Sequence, residues 1–372
     1  MRSLFLFFNC LIISLNSDAQ NIQGANWDDV VYGKCDNQNI TWWSSDEAIR
    51  IAKNVLMYQK ESGGWPKNIQ MQKTLSQHEK NILIASKNDN KLSTIDNNAV
   101  KLELLYLSKI YTEIKDETFK KKIKNSFLKG IKYLIDAQYK NGGWPQNFPL
   151  RGNYKDYITY NDNAMINVMT ILRHIYKKDM YSIHADSNLI VAAKTAFDKG
   201  IACILNTQFV QNGKLTVWCA QHHNKTLLPA NGRTYELASL SGDESVYIVK
   251  LLMSIENPSP KIKESIKYAL IWFRENKITG KRLENYLNSD GLNDIRIVND
   301  PSAKHLWARF YNLNDNVPFF CDRDGIKKFT ISEIGYERRN GYRWYTDTAN
   351  QIFNNVDISL CVFNGFRGFR HL

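Results

Sequence analysis

A ten-residue phrase occurs twice in this chain: QKESGGWPKN from Gln59 to Asn68, and QYKNGGWPQN from Gln138 to Asn147. Each copy is followed by an acid-amide cluster, Thr94-Ile-Asp-Asn-Asn-Ala99 and Thr159-Tyr-Asn-Asp-Asn-Ala164. Each cluster opens a segment with apolar residues at helical spacing. In the first these are Leu102, Leu105 and Ile110; in the second they are Met165, Val168, Met169, Leu172, Ile175 and Tyr176. A fainter third copy runs from Gln208 to Gly213, then Trp218, then Ser241-Gly-Asp-Glu-Ser245 and the apolar run Val246–Ile255. Amphipathic helices at Phe127–Gln138, Leu189–Leu205 and Ile262–Phe273 separate the copies. A chain that repeats loop, cluster and helix in this way is expected to be mainly α, an α/α toroid of about three helix-pair repeats. The spacing varies too much for a strict solenoid.

Within the phrase, Gly-Gly supplies left-handed or closely packed backbone, Trp covers apolar surface and Pro stops the helix. A second reading has Trp65 and Trp144 stacking on sugar rings. The acid-amide clusters exceed what one N-cap needs. Capping is one reading of them; the other is a hard-oxygen set for Ca²⁺, which prefers carboxylates and amide carbonyls.

Residues 1–19 read as a secretory signal: Arg2, the apolar run Leu4–Leu15, and Ser17-Asp18-Ala19 before the cut. Residues 20–372 are then a single domain, secreted to the periplasm or medium. Lys and Arg number 49 against 37 Asp and Glu, a net charge of +12; removing Arg2 and Asp18 leaves it unchanged. An exported protein this basic suits an acidic polysaccharide. The bases form no block, which argues against a nucleic-acid tail. No membrane attachment is expected after signal cleavage, and the protein is expected to be a monomer. Cys35, Cys203, Cys219, Cys321 and Cys361 show no zinc spacing and read as buried thiols. His222-His223 likewise lacks any metal-ligand spacing.

Arginines in the later part sit among aromatics and acids: Gly232-Arg-Thr-Tyr-Glu-Leu237, Trp307-Ala-Arg-Phe-Tyr311, Pro318-Phe-Phe-Cys-Asp-Arg-Asp-Gly325 and Glu337-Arg-Arg-Asn-Gly-Tyr-Arg-Trp-Tyr345. Forked guanidinium groups at Arg309, Arg323 and Arg338 could read uronic acid carboxylates. Structural ion pairs are the alternative for each.

The ordered set GGWPKN, TIDNNA, NGGWPQNFP, YITYNDNAM, WCAQH, GRTYELASLSGDES, WARFY, PFFCDRDG and ERRNGYRWY resembles the pectate lyases of polysaccharide lyase family 10, over about residues 49–345. The resemblance implies an α/α toroid with an irregular C-terminal part, and calcium-dependent β-elimination of polygalacturonate. It further implies that Asp96, Asn97 and Asp162 frame the calcium and substrate site, Asp96 belonging to the catalytic set. Arg233 would be the Brønsted base, and Arg309, Arg323 and Arg338 would hold carboxylates. Two departures stand out: Val100 where threonine is expected, and the segment after Asp347, which matches nothing in the pattern. Two other classes stay open on the residues alone. One is a glycoside hydrolase using Asp96, Asp162 and Asp243 as paired carboxylates; the other is a catalytically idle uronate-binding protein.

Overall fold

The computed structural model describes residues 22, 24–36, 40–181 and 183–354. The expected signal segment, Cys361 and most of the unplaced C-terminal segment lie outside the described residues. The described residues are mainly helical, and the six sheets among them are each two-stranded. The chain divides into two compact units. Of the described residues, those up to 137, with 147–151 and 171–196, make the first; 138–146, 152–170 and those from 197 onward make the second.

The first unit is built on the helices Asp46–Tyr58, Lys101–Glu113 and Glu117–Asp136. Ser45 starts the first of these by accepting a hydrogen bond from the Ala48 amide, and Asp116 starts the third by accepting from Thr118 and Phe119. The second unit carries the helices Glu244–Met253 and Pro260–Glu275, then a long antiparallel hairpin pairing Lys281–Leu287 with Asn293–Asn299. Its remaining irregular chain closes over an apolar cluster that includes Phe310, Phe319, Phe320, Ile331 and Trp344. Among the described residues no helix is long and apolar enough to cross a membrane. Cys203, Cys219 and Cys321 are buried free thiols, as expected.

The repeated phrase is a packing device. Gly63 and Gly142 adopt φ of +96° and +92°, and a Cβ on either would collide with a helix carbonyl, that of Lys129 or Lys199 respectively. Trp65 lies against Gly130, and Trp144 against Gly200. Both indoles are fully buried. The reading of Trp144 as a sugar platform is therefore corrected: a ring with no exposed face cannot stack on a substrate. The glutamine that opens the phrase ties the loop to a later helix, Glu117–Asp136 for Gln59 and Pro260–Glu275 for Gln208. Gln59 Nε2 donates to the carbonyls of Gly63 and Ser126, each at 2.9 Å, and Gln208 Nε2 donates to those of Thr216 and Ser265 at 2.8 and 3.0 Å.

A fourth copy, unseen in the sequence, completes the series. Trp65 and Trp218 donate their indole N–H to carbonyls of a preceding helix, Val55 and Ile204, and Trp307 does the same to Phe273. The backbone amides of Thr94, Thr159 and Ser241 donate to the carbonyls of Trp65, Trp144 and Trp218. Thr346 pairs with Trp307 in register, and the helix Asn350–Asn354 follows. So the stretch Thr346-Asp-Thr-Ala-Asn350, which begins just past the last motif of the resemblance, stands where TIDNNA stands in the first copy.

Candidate active site

The acid-amide clusters have a backbone explanation that capping misses. Asn97 and Asn98 adopt φ of +49° and +60°; Asp162 and Asn163 adopt +49° and +61°. Asn and Asp tolerate this left-handed region better than other residues bearing a Cβ. The residues at the starts of the two helical segments, Val100 and Tyr160, make no side-chain cap hydrogen bond. Val100, also left-handed at +72° and fully buried, is a strained position for a β-branched residue.

In the first unit, Asp96 is buried and ion-paired with Lys67. Its Oδ1 accepts from the Asn97 amide at 3.1 Å, and Asn97 Nδ2 donates to Asn68 Oδ1 at 2.8 Å. Close by in the same unit, Glu103 is buried and accepts from the Trp27 indole at 3.0 Å, while its Oε2 has no partner. Burial pushes this carboxyl up to about 7.

In the second unit, the Asp162 carboxylate is 42% exposed. It accepts from Asn161 Nδ2 at 2.7 Å and from Arg309 Nη2 at 3.3 Å. Arg309 is buried and pairs with the buried Glu244. Burial works against its charge, but Glu244 holds the guanidinium well above its ordinary range.

All four arginines singled out from the sequence converge on two tyrosine rings. Tyr235 and Tyr342 meet edge to face, 5.5 Å between centroids. Arg233, Arg338 and Arg323 lie 4.7, 4.5 and 5.7 Å from the centre of Tyr235. Arg309 lies 4.6 Å from the centre of Tyr342. Such cation–π contacts order charged groups that would otherwise repel one another. Each arginine also has a carboxylate. Arg233 is held by Glu236 through Nε and Nη2, at 2.9 and 2.6 Å, and Tyr342 donates its hydroxyl to the same glutamate at 2.9 Å. Arg323 and Arg338 share Glu337, whose carboxyl they hold down at about 2.

Exposure separates the four. Arg309 and Arg338 are buried, at 5% and 6%, whereas the side chains of Arg233 and Arg323 are 44% and 63% exposed. Ion pairing and a reach toward solvent are thus compatible for Arg233 and Arg323, while Arg309 acts on Glu244 and Asp162. The hydrogen bonds from Arg233 to Glu236 raise the arginine further above its ordinary range, with burial opposing. In this arrangement Arg233 is a cation, the opposite of what a base needs. Tyr235, Glu236, Glu244 and Tyr342 are the residues that sequence reasoning passed over. The Arg-x-x-Glu spacing inside GRTYE was the available signal for Glu236.

The carboxylate and amide oxygens of Asp96, Asn97 and Asp162 are the hard donors that Ca²⁺ takes, so the residue types fit. Among the described residues no group of three His, Cys, Asp or Glu gathers as a metal cluster, so such an ion would also draw on amide and substrate oxygens. His222 is no ligand candidate. It is fully buried, its Nε2 accepts from the Cys219 amide, and burial lowers it to about 4.

Residues 59–353 match the family described as pectic acid lyase. The chain belongs to the pectic acid lyase family. It is therefore an enzyme of the pectate lyase class. A family 10 polysaccharide lyase from Cellvibrio cellulosa is similar at 32% identity and a TM-score of 0.70, over 86% of this chain and 95% of that one. An aspartate-to-alanine mutant of that lyase, solved in complex with trigalacturonic acid, is similar at the same identity and TM-score, over 86% and 96%. No curated protein matches the chain.

Proposed function

We propose that this pectic acid lyase cleaves de-esterified homogalacturonan by β-elimination, leaving 4,5-unsaturated oligogalacturonides. The observation that carries the reading is the pair of exposed arginines, Arg233 and Arg323, held on Tyr235 with the buried Arg338 behind them and Arg309 on Tyr342. Guanidinium groups read carboxylates by paired hydrogen bonds, and a uronate polymer presents one carboxylate per residue. The trigalacturonic acid bound by the related lyase supports the same substrate class.

The elimination needs the proton at C5 removed while charge develops on the adjacent carboxylate. Arg323 is the exposed clamp for that carboxylate, and Arg338, buried behind it, fixes the shared Glu337. Arg233 takes the C5 proton; the C5–H electrons form the C4–C5 double bond, and the C4–O bond breaks with its electron pair going to the leaving oxygen, which takes a proton from water. For this Arg233 must leave Glu236 and first give its own proton to hydroxide from solvent, so the Glu236 pair is the resting state of the site. The hard oxygens of Asp96, Asn97 and Asp162 suit Ca²⁺, which would neutralise a substrate carboxylate when bound. Arg309, neutralised by Glu244, keeps Asp162 in place. The repeated tryptophan device supports an α/α toroid as the architecture, and the basic, signal-bearing sequence supports secretion.

The test is ultraviolet absorbance of products from polygalacturonate, with and without a chelator. Absorbance that rises, and stops when calcium is chelated while the protein stays folded, is the expected result. New reducing ends without the chromophore would transfer the activity to hydrolysis, and full activity in chelator would remove calcium.

A further inference from the structure

A second cavity in the second unit takes no part in the chemistry above. It has a volume of about 560 Å³ and is walled by Tyr286, Arg296 and Ile297 of the long hairpin, by Phe329 and Thr330, and by Tyr345. That size lies in the range of ligand sites, and so does its make-up of aromatic walls with few polar groups. Phe329 is 57% exposed, and the neighbouring Ile326 is equally so. Arg296 lies 4.5 Å over the ring of Tyr286, with its side chain 55% exposed. Its Nε and Nη2 hold Glu284 at 2.8 and 2.7 Å, and Nη1 has no partner among the described residues. The other arginine of the wall, Arg339, is fully engaged by Asp294 and the Ile334 carbonyl.

We infer that this cavity is a secondary binding site for the galacturonate polymer, with the aromatic walls taking sugar-ring C–H faces and Arg296 taking a uronate carboxylate. The occupant follows from the chemistry. An apolar ligand would leave the open Nη1 edge of Arg296 unused, and the clustered charges of a nucleotide's phosphates would require more open donors than this wall offers, whereas a uronan offers ring faces and isolated carboxylates in alternation. A chain held here and at the arginine cluster of the same unit at once gains effective concentration, an advantage that a short oligomer cannot have. The inference rests on the galacturonan reading above, and its test separates the two.

Arg296→Gln and Phe329→Ala, both at exposed side chains, are compared with wild type on polygalacturonate and on the shortest oligogalacturonate turned over. The Michaelis constant for the polymer should rise about fivefold, with turnover and the short-substrate constant unchanged. Constants that move alike for both substrates, or not at all, overturn the site. If wild type produces no unsaturated ends from either substrate, the galacturonan reading falls by itself. Electrophoretic retardation in gels containing polygalacturonate then decides the site: retardation lost in the variants keeps it, and retardation equal to wild type overturns it.

Discussion

The loops around Asp96 and Asp162 are two readings of one phrase. Their backbones agree: each carries left-handed Asn or Asp residues just before a helix. Their electrostatics do not. Asp96 is buried against a lysine, and the nearby buried glutamate, Glu103, has no cation. Asp162 is half exposed, and the buried glutamate of its neighbourhood, Glu244, holds Arg309, which in turn holds Asp162. Repetition thus copies the backbone, and the charge at each copy is decided by partners from elsewhere in the chain.

The largest effect should come from applying one substitution to both glutamates, with opposite outcomes. Glu244→Gln strands the Arg309 cation in the interior and should destabilise the protein by about 3 kcal/mol or more, read by urea unfolding. Glu103→Gln should stabilise it, with a defined pH dependence. The folded-state value of Glu103 is raised to about 7 from 4.5, so the folded state binds this proton more tightly than the unfolded chain does. Wild type is therefore favoured below pH 4.5 and loses stability as pH rises toward 7. Glutamine mimics the protonated acid, so the gain should be near zero at pH 4 and reach about 3 kcal/mol at pH 8. A gain independent of pH would show that Glu103 is not the titrating group.

A smaller effect tests the agreement of the backbones. Asn98→Ala and Asn163→Ala should each cost about 1 kcal/mol in thermal unfolding, because alanine resists the left-handed region. The matching Gly variants should be close to neutral. A loss confined to one copy would mean that the asparagines serve their side-chain contacts and not the backbone.

Much of this was legible in the sequence because it is local. The GGWP phrase, the clusters and the helices they open lie within short windows, and the helices expected at Phe127–Gln138 and Ile262–Phe273 appear as Glu117–Asp136 and Pro260–Glu275. The four arginines were also legible, since each sits in a dense aromatic motif. Their meeting was not, because Arg233 and Tyr342 are far apart in the chain and only the aromatic core around Phe310 and Trp344 joins them. The fourth copy stayed hidden because Thr346-Asp-Thr-Ala lacks the paired asparagines, so only the Trp307 indole and its pairing with Thr346 reveal it. The buried state of Trp144 is likewise a property of what packs on it, the helix carrying Gly200.

We propose Arg233 as the base of an elimination although the structure holds it charged against Glu236. The direct measurement is turnover at saturating polygalacturonate for Arg233→Lys against wild type, followed as absorbance of unsaturated ends across pH. Lysine keeps the charge but moves the nitrogen and loses the fork. The expected result is a loss of at least about a hundredfold in turnover, with the wild-type rate rising toward alkaline pH. Near-normal turnover in the variant, with only a weaker Michaelis constant, would make Arg233 a carboxylate clamp and place the base on another residue.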